Sequence, residues 1–140
     1  MDALDNLVKI KKLQKEPPDN HEIDGMLASA QDRLTDAQQN LSKSSKFMLA
    51  YGAAHALALA ALRWHGYRSD SRFIVFQCLQ HTVGMSAADW RVFDLCHKRR
   101  NLAEYEGHLE IDDALLVELI QKTAELMGKV LSLGPIDTKE

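Results

Sequence analysis

The chain has 140 residues, which is enough for one domain and leaves little room for a second. Apolar residues make up 46% of the sequence, a share typical of globular proteins with one core. The formal net charge is −3, from 17 basic and 20 acidic residues. This balance excludes a protein that is drawn to nucleic acid by its overall charge, so any such binding requires a local basic patch.

The first 16 residues predict a short amphipathic helix or arm. Apolar side chains recur there at helical spacings, at Leu4, Leu7, Val8, Ile10 and Leu13. The segment has no apolar stretch of the kind found in signal peptides, so we expect a cytoplasmic location. Pro17 and Pro18 end the helix, because proline lacks the N–H group and clashes with the preceding turn. The bundle itself is expected over residues 19–133.

Two long helices are predicted in the first half of the bundle, over residues 21–42 and 46–64. The first carries an apolar stripe that runs to Leu41. The second is rich in alanine, so neighbouring helices can pack closely against it, and we expect it to be the central helix. Its apolar stretch falls short of the roughly 20 residues that a membrane span needs, so no membrane partner is expected. Gly66 is expected to end it in the left-handed conformation.

Three further helices are predicted in the second half of the chain, over residues 71–83, 87–105 and 112–133. Ser86 and Asp89 resemble a capping box at the start of the second of these, and Gly107 ends it. Residues 134–140 are expected to form a frayed tail. No run alternates well enough for a sheet. The sequence therefore predicts an all-α fold, an antiparallel up-and-down bundle of four to five helices.

The cysteines and histidines do not indicate a metal site. Cys78 and Cys96 lie in segments that read as helical, with a separation that fits neither a zinc-ligand pair nor a disulfide framework. We expect two buried thiols in a reducing compartment. The histidines lack the spacing of a metal-binding motif, so neither a metal nor a cofactor is expected.

The most unusual polar stretch runs from His97 to His108 and begins with three consecutive cations, Lys98 to Arg100. Arg100 and Glu104 are four residues apart and are expected to pair on one helical face. Asn101 and Tyr105 have the same spacing one position further round. This arrangement is suited to holding a phosphate or a ribose, because arginine offers a fixed fork of donors and the neutral side chains add hydrogen bonds. The alternative is a solvated helix end, whose basic residues complement the helix dipole.

His55 lies in the middle of the alanine-rich helix, one turn after Tyr51. If that helix packs face to face with the basic one, then Tyr51, His55, Arg100 and Tyr105 converge. A lone histidine among apolar residues is more often a core group whose hydrogen bonds are satisfied inside the protein. Both interpretations remain open at this point.

Two segments together resemble the HEPN domains (higher eukaryote and prokaryote nucleotide-binding). The segment from Ala50 to Arg68, AYGAAHALALAALRWHGYR, is similar to the aromatic and alanine-rich second helix of that family. The segment from Arg100 to Tyr105, RNLAEY, resembles the family signature, an Arg followed by a polar residue, with a His further on. The order of the helices also matches, and the resemblance covers residues 20–133.

The resemblance implies a helical bundle that dimerises with its two signature helices facing each other. Many HEPN domains are metal-independent ribonucleases, either toxins paired with a nucleotidyltransferase-type antitoxin or parts of antiphage systems, and others only bind nucleotides or partner proteins. Carried onto this chain, the resemblance makes Arg100, Asn101 and Tyr105 the catalytic positions. Arg100 would stabilise a phosphate and Asn101 would orient it. Four further residues are candidate ligand contacts: Arg99, Glu104, Tyr51 and His55.

Tyr105 departs from the signature, because the family has a histidine at this position. The ordinary pKa of tyrosine is near 10, so it is a poor general base at neutral pH. We therefore favour a HEPN-like protein that binds nucleotide or RNA with weak or no cleavage, as one component of a toxin–antitoxin or defence pair. Two alternatives stay open: an active metal-independent endoribonuclease that uses Tyr105 or His108, and a helical adaptor without a nucleic-acid role. A homodimer is expected, with a nucleotidyltransferase-type protein as a further partner.

Overall fold

The computed structural model describes residues 2–136. The fold is mostly helical, so the predicted all-α class is confirmed. The elements in chain order are α1 Asp2–Lys9, β1 Gln14–Lys15, α2 Asn20–Ala37, α3 Lys43–Trp64, β2 Tyr67–Arg68, α4 Arg72–Gln77, α5 Leu79–Thr82, α6 Ala87–Glu106 and α7 Asp113–Leu131.

The long helices begin where a short polar side chain can accept a hydrogen bond from the first turn. A side-chain oxygen of the residue before each helix accepts a backbone N–H in this way in four places, at Asp19, Ser42, Ser86 and Asp112. The two predicted glycine ends are confirmed, with φ of 89° at Gly66 and 78° at Gly107. The prediction for α2 was wrong at its end. The helix stops at Ala37, and Leu41, assigned to the buried stripe, is 44% exposed.

Helix α3 is the central helix, as predicted, and packs mainly against α2 and α7. Its small side chains make this close approach possible, and most of its alanines are fully buried. By length and composition alone α3 is apolar enough to cross a membrane, although buried core helices have the same properties. Its burial within the fold fits a core helix.

The expectation that the chain forms no sheet was wrong. Gln14 and Lys15 pair with Arg68 and Tyr67 in a two-stranded antiparallel ladder. The predicted N-terminal helix over the first 16 residues was also too long. It ends at Lys9, and the chain turns away at Lys11, which has a φ of 64°. The turn comes before the proline pair and lets the following residues reach β2.

Arg63 attaches this N-terminal segment to the core. It lies in the last turn of α3 and is only 1% exposed. Its Nε donates to Glu22 Oε1 at 2.6 Å, and its terminal nitrogens donate to the carbonyl oxygens of Glu16 and Pro17. Arg63 Nη2 also lies 3.2 Å from the Glu16 carboxylate. Arg68 binds the carboxylates of both Glu16 and Glu22, with Nε 3.0 Å from Glu16 Oε2 and Nη2 2.7 Å from Glu22 Oε2. A buried charge is tolerated here because hydrogen bonds and acids surround it.

The segment predicted as one helix over residues 71–83 is two short helices, α4 and α5, which meet at Cys78. Cys78 and Cys96 are both buried free thiols, as predicted, and burial raises the pKa of each to about 12. The start of the predicted frayed tail contacts the core, since Trp64 Nε1 donates to the Gly134 oxygen and the Ile136 N–H donates to Asn20. Residues 137–140 of that tail lie outside the described part of the chain.

Candidate functional site

The site is built around the side chain of Tyr51, in the third turn of α3. The ring is almost fully buried and lies parallel to Phe47, with 6.3 Å between the ring centroids. Its hydroxyl group emerges between two other helices. Arg72 Nη1, from the start of α4, is 3.1 Å from the hydroxyl oxygen, and His97 Nδ1, from α6, is 2.9 Å from it.

The positions of the protons in this chain of contacts follow from the donors available. A guanidinium group can only donate, so the Tyr51 oxygen accepts from Arg72 and keeps a second lone pair for His97 Nδ1. Asn101 Nδ2 can also only donate, and it lies 3.2 Å from His97 Nε2, so Nε2 accepts and the ring proton is on Nδ1. A half-turn of the Asn101 amide would exchange its two ends and give the other tautomer. In either arrangement both ring nitrogens of His97 are engaged by protein groups.

Two arginines lie against the face of the same tyrosine. The Arg72 Cζ is 5.5 Å from the centroid of the Tyr51 ring, and the Arg100 Cζ is 5.9 Å from it. Arg33, from α2, lies over Gly52. A Cβ atom at Gly52 would be 3.0 Å from Arg33 Nη1, so the absence of a side chain there lets the guanidinium group approach α3.

Arg33, Arg72 and Arg100, here called the arginine cluster, line a cavity of about 350 Å³ together with Tyr51 and His55. Within residues 2–136, neither Arg33 nor Arg72 has a carboxylate within 4 Å. Arg100 has only Glu104, at 3.8 Å between Nη1 and Oε1. Three guanidinium groups thus line one cavity, and among residues 2–136 a single carboxylate lies within 4 Å of any of them.

The pKa values of His55 and His97 are both lowered, in part by the positive charge of these arginines. Burial, followed by the positive charges of the arginine cluster and of His97 when protonated, lowers the pKa of His55 from 6.5 to about 4. Burial and Arg72 are the main causes that lower the pKa of His97. Both imidazoles are therefore neutral at pH 7, and the fixed charge of the site comes from the arginines. Such a site is suited to binding an anion.

A second cavity, of about 440 Å³, adjoins the first. The two cavities share Met48 and Arg100 in their walls. The second cavity is lined further by residues from the start of α3, the end of α6 and the loop that follows α6: Ser44, Ala103, Glu104, Gly107, His108 and Leu109. The two cavities therefore lie side by side, with Met48 and Arg100 between them and the arginine cluster in the first.

The structure brings together some of the candidate residues named from the sequence. Tyr51, His55 and Arg100 line one cavity. Asn101 lies outside it and is connected to the Tyr51 hydroxyl group through His97. The convergence expected for Tyr105 does not occur. Its side chain is 94% exposed, because it lies on the outer side of α6, and it lines neither cavity.

The remaining candidates lie at the edges. Arg99 is exposed on α6, and Glu104 lines the second cavity rather than the first. His108 also lines the second cavity, where Glu110 and the Glu106 carbonyl oxygen raise its pKa. The cavity that contains the arginine cluster is built from residues of α2, α3, α4 and α6.

Sequence reasoning missed Arg33 and Arg72 and did not assign His97 to the site. One signal was present, since Gly52 interrupts a helix that otherwise has side chains suited to a core. An isolated glycine in such a helix indicates a close approach by another group. The pattern does not say which group approaches.

Comparison of the chain with family models, with curated proteins and with solved structures gave no match. Among residues 2–136, no group of three or more His, Cys, Asp or Glu side chains is arranged to hold a metal ion.

Proposed function

We propose that this is a HEPN-like protein that binds the phosphate groups of a nucleotide or of RNA at the arginine cluster. In this proposal the helices form the antiparallel up-and-down HEPN bundle. The protein acts in the cytoplasm as one component of a toxin–antitoxin or defence pair, alongside a nucleotidyltransferase-type partner. Cleavage of RNA is weak or absent.

One observation carries the proposal: three arginines from three helices meet around Tyr51 with a single distant carboxylate as counter-charge. Like charges repel, so such a cluster lowers the stability of the empty protein. A phosphate removes that cost, because its oxygens accept the fork of donors that each guanidinium group presents. The partly buried positions of Arg72 and Arg100 strengthen the attraction relative to a fully solvated surface.

The orientation of His97 supports binding rather than cleavage. Metal-independent cleavage of RNA needs a base that removes the proton of the 2′-hydroxyl group. Both ring nitrogens of His97 are engaged, Nδ1 by the Tyr51 hydroxyl group and Nε2 by the Asn101 amide. Tyr105, the residue at the signature position, lies outside the cavity. His55 also lines the cavity, but its pKa is lowered to about 4, which makes it a weak base. The site therefore holds donors for a phosphate without a strong base beside it.

The experiment that tests this proposal is a titration of a fluorescently labelled RNA oligonucleotide in the presence of a chelator, read by anisotropy. Arg72→Gln should weaken binding about tenfold, the loss of one charge-assisted hydrogen bond. Arg91→Gln is the matched control, because Arg91 is an exposed arginine of α6 that lies over Trp90 and away from the cluster. The same samples on a denaturing gel report cleavage.

Equal loss of affinity in both variants would mean that the cluster has no special role. No binding by any of the proteins, either to RNA or to a nucleotide, would leave a helical adaptor as the surviving hypothesis. Cleavage by the wild type that is lost in Arg72→Gln and retained in Arg91→Gln would replace binding with ribonuclease activity.

We also propose a homodimer formed through α6. Leu95, Leu102 and Tyr105 are large side chains with apolar surface, and their spacings of seven and three residues place them on one face of the helix. All three are exposed in the single chain, so a second copy of α6 would remove them from water. Light scattering should give twice the chain mass at micromolar concentration for the wild type and the chain mass for Leu102→Lys. A monomeric wild type would exclude the dimer.

A further inference from the structure

The cavity that adjoins the arginine cluster differs from it in chemistry. Its walls include apolar side chains from Met48, Ala103 and Leu109, and its acid is Glu104. Met48 lines both cavities and is 43% exposed. A flexible, polarisable side chain in this position can pack against the face of an aromatic ring.

Arg100 connects the two ends. Its guanidinium group lies over the Tyr51 ring in the first cavity, and its Nη1 is 3.8 Å from Glu104 Oε1 in the second. Two cavities of about 350 and 440 Å³ fall within the size range of small-molecule sites. Charge fixes the direction of a ligand in such a groove. Three arginines attract a phosphate to one end, whereas the other end shares only Arg100 and adds a carboxylate, Glu104, and an imidazole, His108.

We propose that the two cavities bind one guanine nucleotide, with its phosphates at the arginine cluster and its base beside Met48 and Glu104. This inference rests on the proposed binding of phosphate at the same site. Guanine is selected because it carries two adjacent N–H donors, at N1 and at the exocyclic amine, which a carboxylate can accept together. Adenine has no such pair on its edge, and its exocyclic amine alone can donate to Glu104. The base lies against the thioether of Met48.

Glu104 is the specificity-determining residue in this arrangement. Its side chain is 68% exposed, so its preference for guanine is modest. We expect guanosine diphosphate to bind about fivefold more tightly than adenosine diphosphate. Inosine diphosphate, which keeps the N1–H group and lacks the exocyclic amine, should fall between the two.

The test is calorimetric titration of the full chain, with a chelator present, using pyrophosphate and the guanosine, inosine and adenosine diphosphates. Glu104→Leu removes the carboxylate and keeps a side chain of similar size, so the guanosine-to-adenosine ratio should fall from about five to about one. The affinity for pyrophosphate, which has no base to contact Glu104, should rise, because a negative charge near the cluster has been removed. Glu106→Leu is the matched control, since Glu106 is an exposed acid two residues away that does not line the cavity. It should keep the ratio near five.

The outcomes separate the two proposals. Binding of pyrophosphate and of all three nucleotides with equal affinity in the wild type would overturn the guanine assignment and keep the phosphate site. No binding of pyrophosphate or of any nucleotide would overturn both. A preference for guanosine that survives in Glu104→Leu would overturn the role of the carboxylate.

The same arrangement can serve a free nucleotide or a guanosine within RNA. Competition between labelled guanosine diphosphate and an oligoadenylate that contains one guanosine distinguishes these sources. Stronger competition by this oligonucleotide than by plain oligoadenylate identifies RNA as the source. Equal competition by the two, together with tighter binding of guanosine diphosphate, identifies the free nucleotide.

Discussion

The salt dependence of RNA binding is the sharpest quantitative prediction that the arginine cluster allows. Each phosphate that a cation neutralises on a single strand contributes about −0.7 to the slope of log affinity against log salt concentration, so three arginines give a slope of about −2. Between 50 and 200 mM salt, affinity should then fall by about 20-fold. Arg72→Gln leaves two cations, and both the slope, about −1.4, and the fall, about sevenfold, become smaller.

Anisotropy titrations with a labelled oligouridylate at four or five salt concentrations measure this slope directly. Oligouridylate has little base stacking, so the slope reports contacts with phosphate. Arg91→Gln, which changes an arginine outside the cluster, should keep the wild-type slope. A slope near −2 in Arg72→Gln would refute the reasoning, since Arg72 would then make no phosphate contact. A wild-type slope near zero would refute the cluster as an RNA site altogether.

Three further predictions concern stability and its relation to binding. Arg63→Met should lower the free energy of unfolding by about 1–3 kcal/mol in urea titrations, because the carbonyl oxygens of Glu16 and Pro17 lose their buried donor while Glu22 keeps Arg68, and an unchanged free energy would contradict this. His55 has a folded-state pKa of about 4, so the unfolded chain binds more protons below pH 6.5 and the free energy of unfolding should fall by up to about 2 kcal/mol from pH 7 to pH 5. His55→Gln should remove most of that fall, and an equally steep fall in the variant would assign it to other groups. Gly52→Ala should raise helix stability by up to about 1 kcal/mol, because alanine favours a helix more than glycine does. It should also weaken phosphate binding, because the new Cβ displaces Arg33. Unchanged binding would show that Arg33 is not needed.

The sequence predicted those parts of the fold that local chemistry decides. The starts of α6 and α7 followed from Ser86 and Asp112, since a cap depends on residues three apart. The pairing of Gln14 with Arg68 did not follow, because each strand has only two residues and the partners are far apart along the chain. The early end of α1 at Lys9 has the same origin, since the chain turns to make that pairing. Periodicity contains no information about such a contact.

The site was predictable to the extent that it lies on two helices with distinctive sequences. Tyr51 and His55 were found because they interrupt an alanine-rich core helix, and Arg100 because it stands in a run of cations. Arg72 was missed because nothing around it in the sequence is unusual, and only the packing of α4 against α3 brings it to Tyr51. The position of Tyr105 was misjudged for a related reason. Helical spacing relates it to Asn101 but does not show which side of α6 faces the core.

The chain contains a second group of arginines that serves as an internal comparison for the arginine cluster. Arg63 and Arg68 are held at 2.6–3.2 Å by Glu16 and Glu22, and the group has two cations and two acids. That is how this protein accommodates arginine when the task is to join segments. The arginine cluster sits beside the same central helix with three cations and one carboxylate at 3.8 Å. If it served only to join helices, the same physical cost would favour acids beside Arg33 and Arg72. The missing counter-charge therefore supports the proposed anionic ligand, and added phosphate should raise the melting temperature of the wild type more than that of Arg72→Gln.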